Sequence, residues 1–167
     1  MDGATADSTG IDRLYSAFYD DLHRLAHQRL FRNERITLLN TTVVVHESYL
    51  RFLSAGRLNI TDRAEFLRYA AAVMRSVIVD FVRRRHAERR TQVVAAEPDR
   101  HGEEEIIAMN HALDELQKVG GRLASVVEMR YFGGLETAEI AEALGVTERT
   151  VRRDWEKARL LLAVALQ

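Results

Sequence analysis

The segment from Gly134 to Leu162, GLETAEIAEALGVTERTVRRDWEKARLLL, constrains the fold of this chain more than any other. Its small and apolar residues are spaced as in two short helices that cross at a steep angle. Ala141 supplies a small residue at the crossing, Gly145 supplies a turn residue that tolerates a positive φ, and Val151 faces inward from the second helix. Thr147 stands at the N-cap position of that helix. The spacing predicts a helix-turn-helix.

The outward face of the second helix is polar and rich in arginine. It consists of Arg149, Thr150, Arg152, Arg153, Glu156 and Lys157. The N-terminal part of such a helix can enter the major groove of DNA, where arginine pairs bidentately with guanine. The alternative is a helical corner with a solvated charged face. Since the small, glycine and valine positions coincide with an exposed arginine-rich face, the pattern favours a DNA-reading unit.

The rest of the chain also has the spacing of amphipathic helices. It contains a single proline and no cysteine, which favours an all-α protein and excludes disulfides. Helices are predicted over 11–31, 42–55, 63–90, 105–119 and 122–132, before the helix-turn-helix. The stretch 91–104 carries the proline and an acid-rich run. We therefore expect two small helical domains, 11–90 and 105–167, joined by a flexible linker at 91–104.

The C-terminal end of the third predicted helix is strongly basic. Its arginines are Arg83, Arg84, Arg85, Arg89 and Arg90. Such a run can merely compensate the helix dipole, but it exceeds what a helix end needs, so contact with phosphates is favoured.

Other classes of site find no support in the sequence. His46 and Glu47 begin a pattern like that of zinc proteases, but Leu50 stands where the second histidine ligand belongs. No catalytic constellation or phosphate-binding loop is present, so we expect no enzymatic activity, no cofactor, no metal site and no small-molecule substrate. The N-terminus lacks the features of a signal peptide, and no apolar run is long enough to span a membrane. A cytoplasmic protein is expected.

Four stretches in this order resemble a known family. They are VVHESYLRF at 44–52, VDFVRRRHAERR at 79–90, VVEMRYFGGL at 126–135 and RRDWEKAR at 152–159. The chain resembles the extracytoplasmic-function (ECF) group of the sigma-70 family, which are initiation subunits of bacterial RNA polymerase. The likeness covers nearly the whole chain after residue 10.

The resemblance implies a role for each part of the chain. Domain 11–90 would be sigma domain 2, which binds the clamp coiled coil of core RNA polymerase and recognises and melts the −10 element. Domain 105–167 would be sigma domain 4, which reads the −35 element of promoter DNA and touches the polymerase flap. The polymerase-binding residues would be Val44, Val45, Glu47, Ser48, Leu50 and Arg51. The −10 residues would be Leu58, Asn59, Ile60, Thr61, Asp62 and Arg63, with Arg83, Arg84 and Arg85.

The chain departs from the family pattern in its 56–62 loop, at Gly120-Gly121 and at Glu136. Relatives have a serine N-cap where Glu136 stands, and Thr137 is expected to take over that cap. Two rival functions stay open: a helix-turn-helix regulator that acts without polymerase, and a protein-interaction module that has lost promoter activity. Control by an anti-sigma factor is also left open.

Overall fold

A computed structural model describes residues 16, 24, 41–55, 62–91 and 100–167. Its helices are α1 (Thr41–Ser54), α2 (Arg63–Thr91), α3 (Arg100–Val119), α4 (Gly121–Val127), α5 (Thr137–Leu144) and α6 (Glu148–Ala165), and a π-helical segment, Glu128–Phe132, continues α4. The predicted helix over 11–31 lies outside the described residues apart from Ser16 and Arg24, which are helical. The predicted −10 residues Leu58–Thr61 also lie outside them.

The helices α1 and α2 have the predicted bounds to within one residue. The start of α1 is rich in β-branched residues, a composition that also suits a strand, but it is helical. Asp62 caps α2: its carboxylate accepts a hydrogen bond from the amide of Glu65 at 2.7 Å. A capping residue of this kind fixes where a helix begins, because it satisfies an amide that has no partner inside the helix.

The helix α3 begins at Arg100, earlier than the predicted start at Glu105. The last residues of the predicted linker are therefore helical. The physical reason is tertiary: Glu103 is only 4% exposed and forms ion pairs with residues of α2. Such contacts stabilise a first helical turn that contains Gly102, a residue that disfavours the helix interior.

The single helix predicted over 122–132 is divided. Its last part is π-helical, and the amide of Gly133 donates to the carbonyl of Glu128 at 3.0 Å. Met129 and Phe132 are both buried in this wider turn. The π-helical segment thereby delivers two large side chains to the core at its own contact with α2.

The helix α2 is the central element of the described structure. It packs against α1, α3, α5 and the π-helical segment, while α6 packs against α3, α4 and α5. One continuous hydrophobic core joins both halves. Its largest fully buried side chains are Phe66, Phe132, Leu67, Met74, Ile78, Ile106, Leu113, Leu135 and Ile140.

The all-α fold class is confirmed, and the residues that the structure describes contain no strand. Within the same residues, no helix combines the length and apolarity that a bilayer crossing requires.

Candidate nucleic-acid interface

The helix-turn-helix is formed by α5 and α6 and the turn between them. Gly145 has φ 64° and ψ 35°, the left-handed conformation predicted for the turn. The turn is closed by the amide of Val146, which donates to the carbonyl of Ala141 at 3.0 Å. Val151 is fully buried, as predicted, so α6 is held with one defined face outward.

Thr147 caps the N-terminus of α6, as the sequence predicts. Its hydroxyl oxygen accepts a hydrogen bond from the amide of Thr150 at 3.2 Å, and the two threonine hydroxyls lie 3.0 Å apart. The side chain of Thr150 is therefore engaged with the cap, although its predicted place was on the outward, DNA-reading face of α6.

The inner face of α6 contains an acid that the sequence analysis did not single out. Asp154 is 3% exposed and accepts a hydrogen bond from Nε of Arg122, on α4, at 2.5 Å. The hydrogen bond that Arg122 donates to Asp154, and then the negative charge of Asp154, raise the pKa of Arg122 above its ordinary value. The signal available in the sequence was the spacing, since Asp154 falls in register with the inward-facing Val151 and Ala158.

A second arginine stabilises the unit from within. The guanidinium of Arg130 stacks over the ring of Trp155, 4.8 Å from its centroid, and donates to the hydroxyl of Thr137. It thereby links the π-helical segment to the start of α5 and to α6. This contact orients the reading helix without occupying its outer face.

The outer face of α6 presents the predicted charged residues to solvent. The exposed side chains are Arg149, Arg152, Arg153, Glu156 and Lys157. Arg152 pairs with Glu148 at 2.6 Å along the helix, and Glu156 pairs with Arg159 at 3.4 Å. Exposed pairs of this kind stabilise a protein by at most about 1 kcal/mol, so DNA can displace them at little cost.

The prediction that Thr137 takes over the cap of α5 is wrong. Glu136 is the N-cap residue, and its amide donates to the carboxylate of Glu139 at 2.9 Å. Glu139 lies three residues into the helix and reaches back to the N-cap amide, which is one half of a capping box. Thr137 is the first helical residue, and its hydroxyl accepts from Arg130 instead.

The basic end of α2 divides into two sets. Arg83 and Arg84 are exposed, whereas Arg85 is half-buried and its Nε lies 3.0 Å from the carboxylate of Glu103. At the other end of the helix, Arg63 forms ion pairs with Glu142 and Glu139 of α5. The arginines predicted to contact −10 DNA are thus partly engaged by acids of the C-terminal half.

The residues predicted to bind polymerase lie on two sides of α1. Val44, Val45 and Ser48 are buried, because their spacing places them on the side of the helix that packs inward. Leu50 is exposed, and Glu47 is half-buried. Arg51 pairs with Asp80 of α2 at 2.8 Å and also donates to Ser76. Three of the six predicted residues are therefore inaccessible to a partner in this conformation.

Groups of histidine and acidic residues that could hold a metal ion are absent from the described parts of the chain.

An all-helical protein that presents a capped, arginine-rich second helix from a helix-turn-helix belongs to the DNA-binding class. More particularly, the chain belongs to the ECF sigma factor family: the family model described as ECF sigma factor matches residues 3–167. This is a family of transcription factors and not of enzymes. Searches of curated proteins and of solved structures find no significant match to the chain.

Proposed function

We propose that this chain binds bacterial core RNA polymerase and directs transcription initiation from promoters that carry −10 and −35 elements. The observation that carries the proposal is the outer face of α6, which is exposed and arginine-rich in a chain that matches the ECF sigma factor family over residues 3–167. It acts by recruitment and recognition, with no chemical step of its own.

The −35 element is read by α6 in duplex form. Arg149, Arg152 and Arg153 are exposed and contact base edges in the major groove, with Glu156 and Lys157 one turn further along. Thr150 supports this helix through its bond to Thr147. An N-terminus fixed by a side-chain cap keeps the arginines in one register on the DNA.

The −10 element is bound by the loop before α2 and by the arginine-rich end of that helix. Arg83 and Arg84 are exposed and suited to phosphate contact. Asp62 positions the start of α2 through its capping bond. The family resemblance also assigns residues 58–61, which lie outside the described residues, to recognition of the −10 element, where an unstacked base needs a pocket to receive it.

The clamp of polymerase binds the exposed side of α1. Leu50 offers an apolar contact there and Glu47 a charged one at its edge. The buried residues Val44, Val45 and Ser48 serve this surface indirectly, because they fix the rotation of α1 against the rest of the fold. The C-terminal half is proposed to contact the flap.

In vitro transcription tests the proposal. The purified chain is incubated with sigma-free core polymerase and a library of promoter fragments, and the start sites are mapped. We expect co-purification with core and specific transcripts that are absent without the chain. DNA binding without association with core would instead indicate a regulator that acts alone, and association with core without any start site would indicate an interaction module.

A further inference from the structure

Glu103 is the only buried glutamate among the described residues, and it is held by three basic side chains of α2. Arg89 donates to both of its carboxylate oxygens, each at 2.8 Å. Nε of Arg85 lies 3.0 Å from one oxygen, and Nε2 of His86 lies 3.1 Å from the other. We call Arg85, His86, Arg89 and Glu103 the Glu103 cluster.

The geometry of this cluster is that of a site for an oxyanion. A guanidinium that donates two parallel bonds fits a carboxylate and a phosphate equally well. The basic members are also partly open to solvent, with side-chain exposures of 19% for Arg85 and 32% for His86 and Arg89. A phosphate could therefore reach them once the carboxylate has moved away.

Further acids of the C-terminal half, residues 100–167, bind the same helix. Arg75 donates to Asn110 at 2.8 Å, to Asp114 at 2.7 Å and to Glu128 at 3.2 Å. Arg63 pairs with Glu142 of α5. Four arginines of α2, namely Arg63, Arg75, Arg85 and Arg89, are thus paired with acids of residues 100–167, and paired arginines of this kind also suit the phosphates of a nucleic acid.

This inference rests on the function proposed above. If the chain binds both promoter elements, the distance between them can be compared with the size of the docked structure. The −10 and −35 elements are centred about 25 base pairs apart, or roughly 85 Å of B-DNA at about 3.4 Å per base pair. A compactly folded chain of this length, 167 residues, has a radius of gyration of about 15 Å. The two halves must therefore separate before both elements can be bound.

We propose that Arg85, His86 and Arg89 form a binding site for a backbone phosphate of DNA, and that Glu103 fills this site while residues 100–167 are docked on α2. Glu103 is in this sense an internal competitor of DNA. Its release frees the basic end of α2 for phosphate contact and at the same time loosens the C-terminal half from the helix that it covers.

The test is the binding of the full-length chain, without polymerase, to a fluorescent duplex of random sequence. Fluorescence anisotropy is measured at salt concentrations from about 50 to 200 mM. The slope of the logarithm of the binding constant against the logarithm of the salt concentration reports the number of phosphate contacts, at about 0.9 per contact. Glu103→Gln is expected to bind about tenfold more tightly than the wild type, since removing a competing closed state raises the apparent affinity. Its slope should be steeper by about one to two units.

Glu104→Gln is the matched control. Glu104 is the next residue of α3, and the substitution removes the same charge from the neighbourhood of His86 and Arg89. Because Glu104 is exposed, we expect its replacement to change affinity less than about twofold. An equal gain from both variants, or no gain from Glu103→Gln, would overturn the proposal.

Two further measurements keep the test decisive. Arg89→Gln added to Glu103→Gln should abolish the gain, and a double variant that binds as tightly as Glu103→Gln alone would contradict the assigned site. The second measurement uses the wild type, so it does not depend on the folding of any variant. In an NMR titration, the Nε–H resonance of Arg85 should shift as duplex is added. An unchanged resonance at saturating duplex would also overturn the proposal.

The results of these experiments distinguish a failure of the phosphate site from a failure of the proposed sigma-factor role. A gain from Glu103→Gln in a chain that supports no transcription with core polymerase would refute the sigma-factor role and leave the phosphate site standing. Normal transcription with no gain from Glu103→Gln would refute the phosphate site alone.

Discussion

Gly133 lies where the end of the π-helical segment meets α2, and its lack of a side chain lets the two backbones approach closely. A Cβ atom there would come within 2.7 Å of the carbonyl oxygen of Met129 and 2.9 Å of Cβ of Ala71. Neither neighbour is the far end of a flexible side chain. We therefore predict that Gly133→Ala lowers the free energy of unfolding by about 1–3 kcal/mol, measured by chemical denaturation.

Gly121→Ala is the control for this prediction. A Cβ at Gly121 would meet only the amide group of Gln117, at 3.1 Å, and that side chain can move. Alanine also favours the helical state over glycine. We expect a free energy of unfolding equal to or above that of the wild type. A loss from Gly121→Ala as large as that from Gly133→Ala would refute the account of Gly133.

Two buried acidic residues were not predicted from the sequence to be functionally or structurally important. Asp154 and Glu103 were not singled out, although both are almost completely buried. Their partners, Arg122 and Arg89, lie 32 and 14 residues away in sequence. Apolar periodicity reports which face of a helix is inward, but it cannot report which distant charge meets an inward carboxylate.

Among the helices, α6 depends on its N-terminal cap. Thr147→Ala removes the acceptor of the Thr150 amide, and such a loss costs about 1 kcal/mol. We predict that decrease in the free energy of unfolding, together with weaker binding to −35 duplex because the first turn of α6 frays. Thr147→Ser retains the hydroxyl oxygen and should behave as the wild type; an equal loss in both variants would show that the cap is not the cause.

The outer face of α6 gives a prediction about recognition. Arg152→Ala should weaken binding to −35 duplex by about tenfold, since a bidentate contact to a base contributes about 1–3 kcal/mol of discrimination. Its binding to core polymerase should be unchanged. The measurements are anisotropy with promoter duplex and co-purification with core.

Arg159→Ala is the matched control on the same helix. Arg159 is also exposed and also pairs with a glutamate, but it lies two turns further from the N-terminus of α6. We expect little change in duplex binding. If Arg152→Ala abolished association with core instead, the outer face of α6 would be a polymerase surface.

The residue at which a helix begins could be predicted from the sequence where a capping residue marks it. Thr147 marks the start of α6 in the sequence and caps it as expected, and Asp62, a residue type favoured at N-caps, caps α2. The early start of α3 and the π-helical segment could not be predicted, because both depend on packing against α2. In the candidate site, the exposed arginines of α6 followed from periodicity, whereas the burial of half the predicted polymerase-binding set depended on how α1 is rotated.

For the whole molecule, the sequence predicts two helical domains and a linker, and the structure shows the C-terminal half docked on α2 through a shared core. The docking combines apolar contacts around Phe132 with the ion pairs of Arg63, Arg75 and Arg89. No local pattern reports such an association, since each half has the composition of a unit that could fold alone. We therefore infer that the free chain is closed and that promoter recognition separates its halves.

One measurement tests this claim most directly. The chain has no cysteine, so Ala87→Cys on α2 and Ala163→Cys on α6, both at exposed positions, allow a donor and an acceptor dye to be attached. Single-molecule energy transfer should give one short distance for the free chain. With core polymerase and promoter DNA it should give a distance longer by several tens of ångströms, since the elements lie roughly 85 Å apart. A distance that stays short in a complex active in transcription would contradict the account.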